Sequence, residues 1–314
     1  MKLFFVLILF ITLLNSTDYS GNIEYFYKNL KNIKDENSIN FKLKLQNDQD
    51  NYTLYSQIET LNSNKNNYTK LNEAYIKYFI NNDEILIGKE IKFFGVLEGY
   101  NITDIFNKKN ILYDPFDKKR KLGRYNLSYT KEFEEYDGDI SFIIASTLQN
   151  NNISLDKYDK FIKYSLSTDE SDINFLLYDS LNITKYLTYN NFIYNNIIFK
   201  LEYSYSKNIL KDYYESGFGI EKEFNNITIY TEYYKSNNKL LQMQNDIFIA
   251  LKYDFKNIDD TNIKFGIFKD LDNYIYTKSF EYETRYKENF KIKLQYINYN
   301  KISQNYYIKI GYYF

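Results

Sequence analysis

The chain has 314 residues, with 40 Lys and Arg against 41 Asp and Glu, a formal net charge of −1, and neither Cys nor His. The balanced charge gives no basic footprint for nucleic acid. The missing thiol and imidazole close thiol catalysis and His-based triads or metal sites, and no disulfide can hold the fold. Aromatics at 20% beside a mean hydropathy of −0.56 suit a protein that is apolar on one surface and polar on another.

In chain order, Lys2 precedes an apolar run from Leu3 to Leu14, followed by Asn15, Ser16 and Thr17. That is the layout of a secretory signal peptide. The run is about a dozen residues, short of the ~20 that cross a bilayer as a helix. Residues 1–16 are therefore expected to be a signal peptide, and 17–314 a single domain. Only about twenty residues are expected between the signal and the first clear strand, too few for a plug domain of the TonB-type receptors. Residues 22–33 suit two patterns. Ile23, Tyr25 and Tyr27 alternate as a strand, whereas Ile23, Phe26, Leu30 and Ile33 share a helix face; the strand is favoured.

From there a two-residue alternation recurs to the end of the chain. Ile39, Phe41, Leu43 and Leu45 alternate with Asn40, Lys42, Lys44 and Gln46. Weaker cases follow at 51–60, 71–80 and 83–89, and after a gap at 122–131, 138–147, 160–167, 172–179 and 184–191. Ile197, Phe199, Leu201 and Tyr203 alternate with Ile198, Lys200, Glu202 and Ser204; Ile247, Ile249, Leu251 and Tyr253 alternate with Phe248, Ala250, Lys252 and Asp254. Segments 214–224, 226–235, 261–269 and 274–286 and the run Phe290, Ile292, Leu294, Tyr296 complete the series. Between them lie polar clusters such as Asn81-Asn82-Asp83, Asn225-Asn226 and Lys256 to Thr261. With only 10 Gly in the chain, Asn and Asp are expected to take the left-handed positions of the hairpin turns.

Half-exposed strands build either a soluble sandwich or a membrane barrel. In a barrel, the residues alternating with the apolar ones line the lumen. That set is Lys42, Lys44, Lys200, Glu202, Lys252, Asp254, Lys264, Glu281, Glu283, Arg285, Lys291, Lys293 and Lys309, with a modest excess of cations. Near the midplane of lipid such groups cost about 2–4 kcal/mol each, so they need water or partners. Tyr55, Tyr75, Tyr230, Tyr234, Tyr307 and Tyr313 fall on the same face and are able to fill a lumen.

The alternation stops between Lys92 and Lys121, a length at which unpatterned loops are usually functional. The segment carries the one proline, in Asp114-Pro115-Phe116-Asp117, and the cluster Lys118-Lys119-Arg120-Lys121. Thr103 is placed to cap a short helical turn through Asn107. The strand Ile85-Leu86-Ile87-Gly88-Lys89-Glu90, then Phe94-Gly95, then Asn101-x-Thr103-Asp104-x-x-Asn107 resembles a pattern of proteobacterial porin-like barrels. There a Gly-Arg-Gln strand runs into Trp-Gly and an Asn/Thr-Asp/Asn loop. Lys89, Glu90 and Phe94 depart from it, and no proline stands near the loop asparagines. The resemblance implies a loop that folds into the barrel and narrows it. On that reading, Glu98, Asp104, Asp114 and Asp117 would face Lys118, Lys119 and Arg120 across a constriction.

At the C-terminus, Tyr306, Ile308, Ile310, Tyr312 and Phe314 alternate with Tyr307, Lys309, Gly311 and Tyr313. A terminal Phe preceded by alternate aromatics resembles the closing strand of bacterial outer-membrane barrels, in which this segment is the insertion signal. Together these features lead to an all-β fold: a closed antiparallel transmembrane barrel. At roughly 17 residues per strand it has about 16 strands, within 14 to 18. The resemblance implies an outer-membrane porin, monomeric or homotrimeric, passing small hydrophilic solutes or ions. It would lie among lipid and lipopolysaccharide, be inserted by the barrel-assembly machinery through Tyr312 and Phe314, and need no cofactor, metal or catalytic residue. The alternative is a plugged or closed barrel with a structural or surface-interaction role.

Overall fold

The computed structural model describes residues 17–30, 33–64, 67–109, 121–133, 135, 137–147, 158–209, 211–238, 244–299 and 303–314. Residues 1–16, the expected signal peptide, lie outside them.

Twenty strands follow in order: β1 (Asp18–Leu30), β2 (Ile33–Gln49), β3 (Tyr52–Ser63), β4 (Asn67–Ile80), β5 (Asp83–Glu90), the two-residue β6 (Lys108–Lys109) and β7 (Lys121–Leu122), β8 (Arg124–Phe133), β9 (Gly138–Ser146), β10 (Tyr158–Thr168), β11 (Ser171–Ser180), β12 (Ile183–Tyr194), β13 (Ile197–Asn208), β14 (Tyr213–Phe224), β15 (Ile227–Ser236), β16 (Asn245–Asp254), β17 (Asn262–Asp270), β18 (Tyr276–Tyr286), β19 (Phe290–Tyr299) and β20 (Ser303–Tyr313). Among the described residues, all of these strands but β6 and β7 belong to one 18-stranded sheet. Each strand pairs antiparallel with its sequence neighbours, β5 joins β8 across the long connection, and β1 joins β20 to close the ring. Closure leaves no strand edge, which is what lets a sheet sit in lipid.

The strand count is 18 where the sequence reading puts about 16. The single connection between β5 and β8 holds many residues that an average over the chain spreads among all the strands. Elsewhere the spacing is therefore shorter than the average suggests. Residues 22–33 resolve as a strand over most of their length, since β1 starts at Asp18 and forms the seam. There, Ile23 and Tyr25 are exposed while Glu24, Phe26 and Lys28 are turned inward. At the seam, the Gly21 and Phe314 backbones exchange hydrogen bonds of 2.9 and 3.1 Å. A side chain at Gly21 would stand 2.7 Å from the Phe314 ring, so the terminal aromatic packs where only a glycine leaves room.

Two faces run along every strand. On β20 the outward Tyr306 is 48% exposed and the inward Tyr307 4%. One rim of the barrel is made of tight turns in which Asn81, Asn195, Asn196 and Asn225 hold φ between 48° and 59°. Lys256 and Asp260 do the same in the Lys256–Thr261 cluster, with φ of 50° and 47°. At the opposite rim the chain leaves β5 for β8 and β9 for β10.

Candidate functional site: the inserted loop and the inner wall

Residues 91–107 fold into the barrel. Leu97, Thr103 and Phe106 are fully buried there. The burial follows from composition, because Phe94, Val96, Leu97, Ile102, Ile105 and Phe106 form an apolar stripe that has no place in water. Phe94 and Phe106 pack with Ile143, Phe161, Leu176, Tyr178, Leu187 and Tyr189 from β9–β12. Leu97 and Ile102 pack with Tyr234, Phe248, Ala250 and Phe268 from β15–β17. The described part of the loop thus covers the inner wall from β9 to β17.

Wall carboxylates hold the loop by its backbone. The Glu202 carboxylate on β13 accepts four amides: Val96 (2.6 Å) and Leu97 (2.9 Å) on Oε1, Ile102 (2.6 Å) and Thr103 (3.0 Å) on Oε2. Glu232 on β15 accepts those of Glu98 (2.5 Å) and Gly99 (2.9 Å), and the Tyr100 amide donates to the Tyr234 hydroxyl (2.8 Å). Gly95 is required by this arrangement: its φ is +125°, and a Cβ would stand 2.7 Å from Glu202 Oε1. The helical turn expected from Thr103 to Asn107 is not formed. The Thr103 amide is donated to Glu202 instead, and the Thr103 carbonyl accepts the Ile105 amide in a tighter bend (2.8 Å).

The loop's root is pinned as well. The Ile91 amide donates to Glu73 (3.0 Å), and the Lys92 amide to the Asn107 side chain (3.3 Å), which donates back to the Lys92 carbonyl. Asp104, expected at a constriction, is 3% exposed and paired with Lys121. It presents its charge to packing, not to a passage. Among the described loop acids, Glu98 meets the wall, 2.7 Å from Lys264. Lys264 and Lys200 both lie over the Tyr230 ring, at 5.1 and 5.9 Å, and Lys200 also pairs with Glu221 (2.5 Å). Asp114, Asp117, Lys118, Lys119 and Arg120 lie outside the described residues.

The wall residues anticipated from alternation share the inward face, most of them in ion pairs. Lys309 and Lys42 flank Glu24 at 2.6 and 4.0 Å. Lys291 meets Glu283 (2.5 Å), Lys293 meets Glu281 (2.8 Å), Lys252 meets Asp254 (2.9 Å) and Arg285 meets Asp260 (3.6 Å). Lys44 stands opposite Gln57 in the register. Glu24, Glu59, Glu84 and Glu221 lie on the same face, with Lys70–Glu59 at 3.0 Å and Lys77–Glu84 at 3.1 Å, so most of these cations have an acidic partner. Sequence reasoning missed Glu24, Glu232, Arg124 and Asp159. Glu232 was within reach, since it alternates with Tyr230 and Tyr234 on one face. Arg124 needed the fold: it is buried against Asp159, and its Nη1 donates to the Phe106 carbonyl (3.2 Å).

Solved structures share this backbone. The chain matches Pseudomonas aeruginosa OpdK with vanillate at a TM-score of 0.70 and 9% identity, covering 96% of this chain and 99% of that one. The fold is that of the OprD-type outer-membrane proteins. P. aeruginosa OprD matches at 0.68 and 9% identity, covering 96% of this chain and 94% of its own. OccK2 (OpdF) in complex with glucuronate matches at 0.68 and 9% identity, with 95% of each chain covered. No protein-family model and no curated protein matches the sequence. The likeness to the OprD-type proteins is thus one of fold.

Proposed function

We propose that the protein is an outer-membrane channel for passive diffusion of small hydrophilic solutes or ions, with no covalent chemistry. The observation that carries this reading is the closed 18-stranded barrel with a charged inner wall and a loop folded inside it, anchored to Glu202 and Glu232. Charge pairs on the inner face and loop backbone against the wall form a constriction that sorts solutes by size and charge. OpdK and OccK2 were crystallised with vanillate and glucuronate, so small organic acids are the first solutes to test. The rim bearing the 91–123 connection faces outward, toward lipopolysaccharide. The strand ending in Tyr312 and Phe314 is what the assembly machinery reads, and the channel works as a monomer or homotrimer.

The test is single-channel recording of the refolded protein in a planar bilayer, after heat-modifiable gel mobility has established folding. Discrete open steps support the channel. Deletion of 96–118 then enlarges the unit conductance; a folded deletion with unchanged steps removes the constriction role. A folded but silent barrel favours the interaction-type reading, which the aromatic filling around Phe161 and Tyr234 supports.

A further inference from the structure

We propose that Glu202 and Glu232 are the positioning residues of the constriction: the wall, acting on loop backbone, sets the narrowing. The inference rests on the channel reading for its consequence but not for its geometry.

Between them the two carboxylates take six consecutive-segment amides, four on Glu202 and two on Glu232. A carboxylate is an acceptor only, and two oxygens offer room for four donors; Glu202 uses that capacity with two amides on each oxygen. Glu202 is fully buried and Glu232 is 2% exposed. Releasing either one would strand a buried charge, and releasing the loop would strand its amides. Several residues face the two carboxylates among the described residues. Tyr189 on β12 and Gly217 on β14 stand opposite Glu202 in the register, and Lys200 lies two residues away on its own strand. Tyr234 donates its hydroxyl to Glu232, and Glu98 is taken up by Lys264. From the loop side come Tyr100 and the buried Asp104–Lys121 pair, and Glu215 on β14 lies near Tyr100.

The same wall also holds two loop side chains, Glu98 through Lys264 and Tyr100 edge-on to the Tyr234 ring, while the glutamates, through the backbone, set how wide the passage is.

Glu202→Gln keeps the side chain's shape but replaces one acceptor oxygen with a donor that faces loop amides. Amide hydrogen exchange of the folded, inserted barrel then reads the result residue by residue. Protection falls on the order of tenfold or more at Val96, Leu97, Ile102 and Thr103, while the strand amides hold. Glu232→Gln should do this at Glu98 and Gly99 instead. Gly95→Ala, which drives a Cβ into the Glu202 carboxylate, reproduces the Glu202→Gln pattern without touching the charge. In planar bilayers the variants give larger and noisier unit steps than the parent. Loss of protection spread evenly over the barrel, or none at these amides, overturns the proposal. If the parent shows no steps at all, the channel reading fails while the exchange pattern still decides the positioning role.

Discussion

Arg124 shows how much one buried side chain does in this barrel. Its guanidinium lies 5.4 Å from the centroids of both Phe106 and Phe161 and pairs with Asp159, which also accepts the Tyr178 hydroxyl at 3.2 Å. Arg124 sits on β8 and Asp159 on β10, with β9 between them. Ala145 stands opposite both Asp159 and Asn126 in the register, and its small side chain leaves the guanidinium room to cross. Through the Phe106 carbonyl the same arginine holds the far end of the loop. Arg124→Met leaves Asp159 buried without its partner, and breaking such a pair costs about 3–5 kcal/mol. Pairing it with Asp159→Leu should recover most of that loss, as urea unfolding of the two variants in detergent would show. Equal destabilisation in the single and double variants would mean the pair contributes little beyond packing. The sequence assigned Arg124 to a strand. It did not reveal the partner, because Asp159 lies 35 residues away and faces it only through the register of an intervening strand.

At the scale of elements, strands and turns were legible and the loop's path was not. Alternation needs only neighbours at one and two residues, so it survives in the sequence wherever one face meets lipid and the other water. The turns follow from Asn chemistry. Asn195 and Asn196, and Asn225 in its own turn, take up the left-handed backbone at φ of 48°, 59° and 54°. The expected Asn225-Asn226 turn is therefore present for the reason given. Asn225→Val puts a β-branched side chain in that conformation at a cost of about 1–2 kcal/mol, lowering the refolded fraction on heat-modifiable gels, and Asn225→Gly refolds as the parent does. A Val variant that refolds as well as the parent would show that the turn tolerates another geometry. The loop is a different case. Its boundaries show in the sequence as a break in alternation, but its direction depends on acceptors 99 to 134 residues away. No local pattern encodes contacts of that range.

At the scale of the whole molecule, the ring of 18 strands brings the first and last of them, β1 and β20, into one wall, and charges of both signs are paired across that seam. Glu24 on β1 lies between Lys42 on β2 and Lys309 on β20, and it also accepts the Tyr313 hydroxyl at 2.9 Å. Lys293 and Lys309 stand opposite each other in the register, and Lys293 meets Glu281 at 2.8 Å. This wall is not covered by the described part of the loop, so on the channel reading it borders the passage. Paired charges of both signs on such a wall give weak selectivity between cations and anions, since the field of each lysine is largely cancelled by its neighbour. Glu24→Gln removes the carboxylate shared by Lys42 and Lys309 and adds one net positive charge beside the passage. The reversal potential under a salt gradient should then move toward the anion limit, more at low salt than at high because the Debye length shrinks from ~30 Å at 0.01 M to ~3 Å at 1 M. Lys309→Gln moves it the other way. A folded, conducting Glu24→Gln variant whose reversal potential matches the parent at every salt concentration would place the ion path away from the seam.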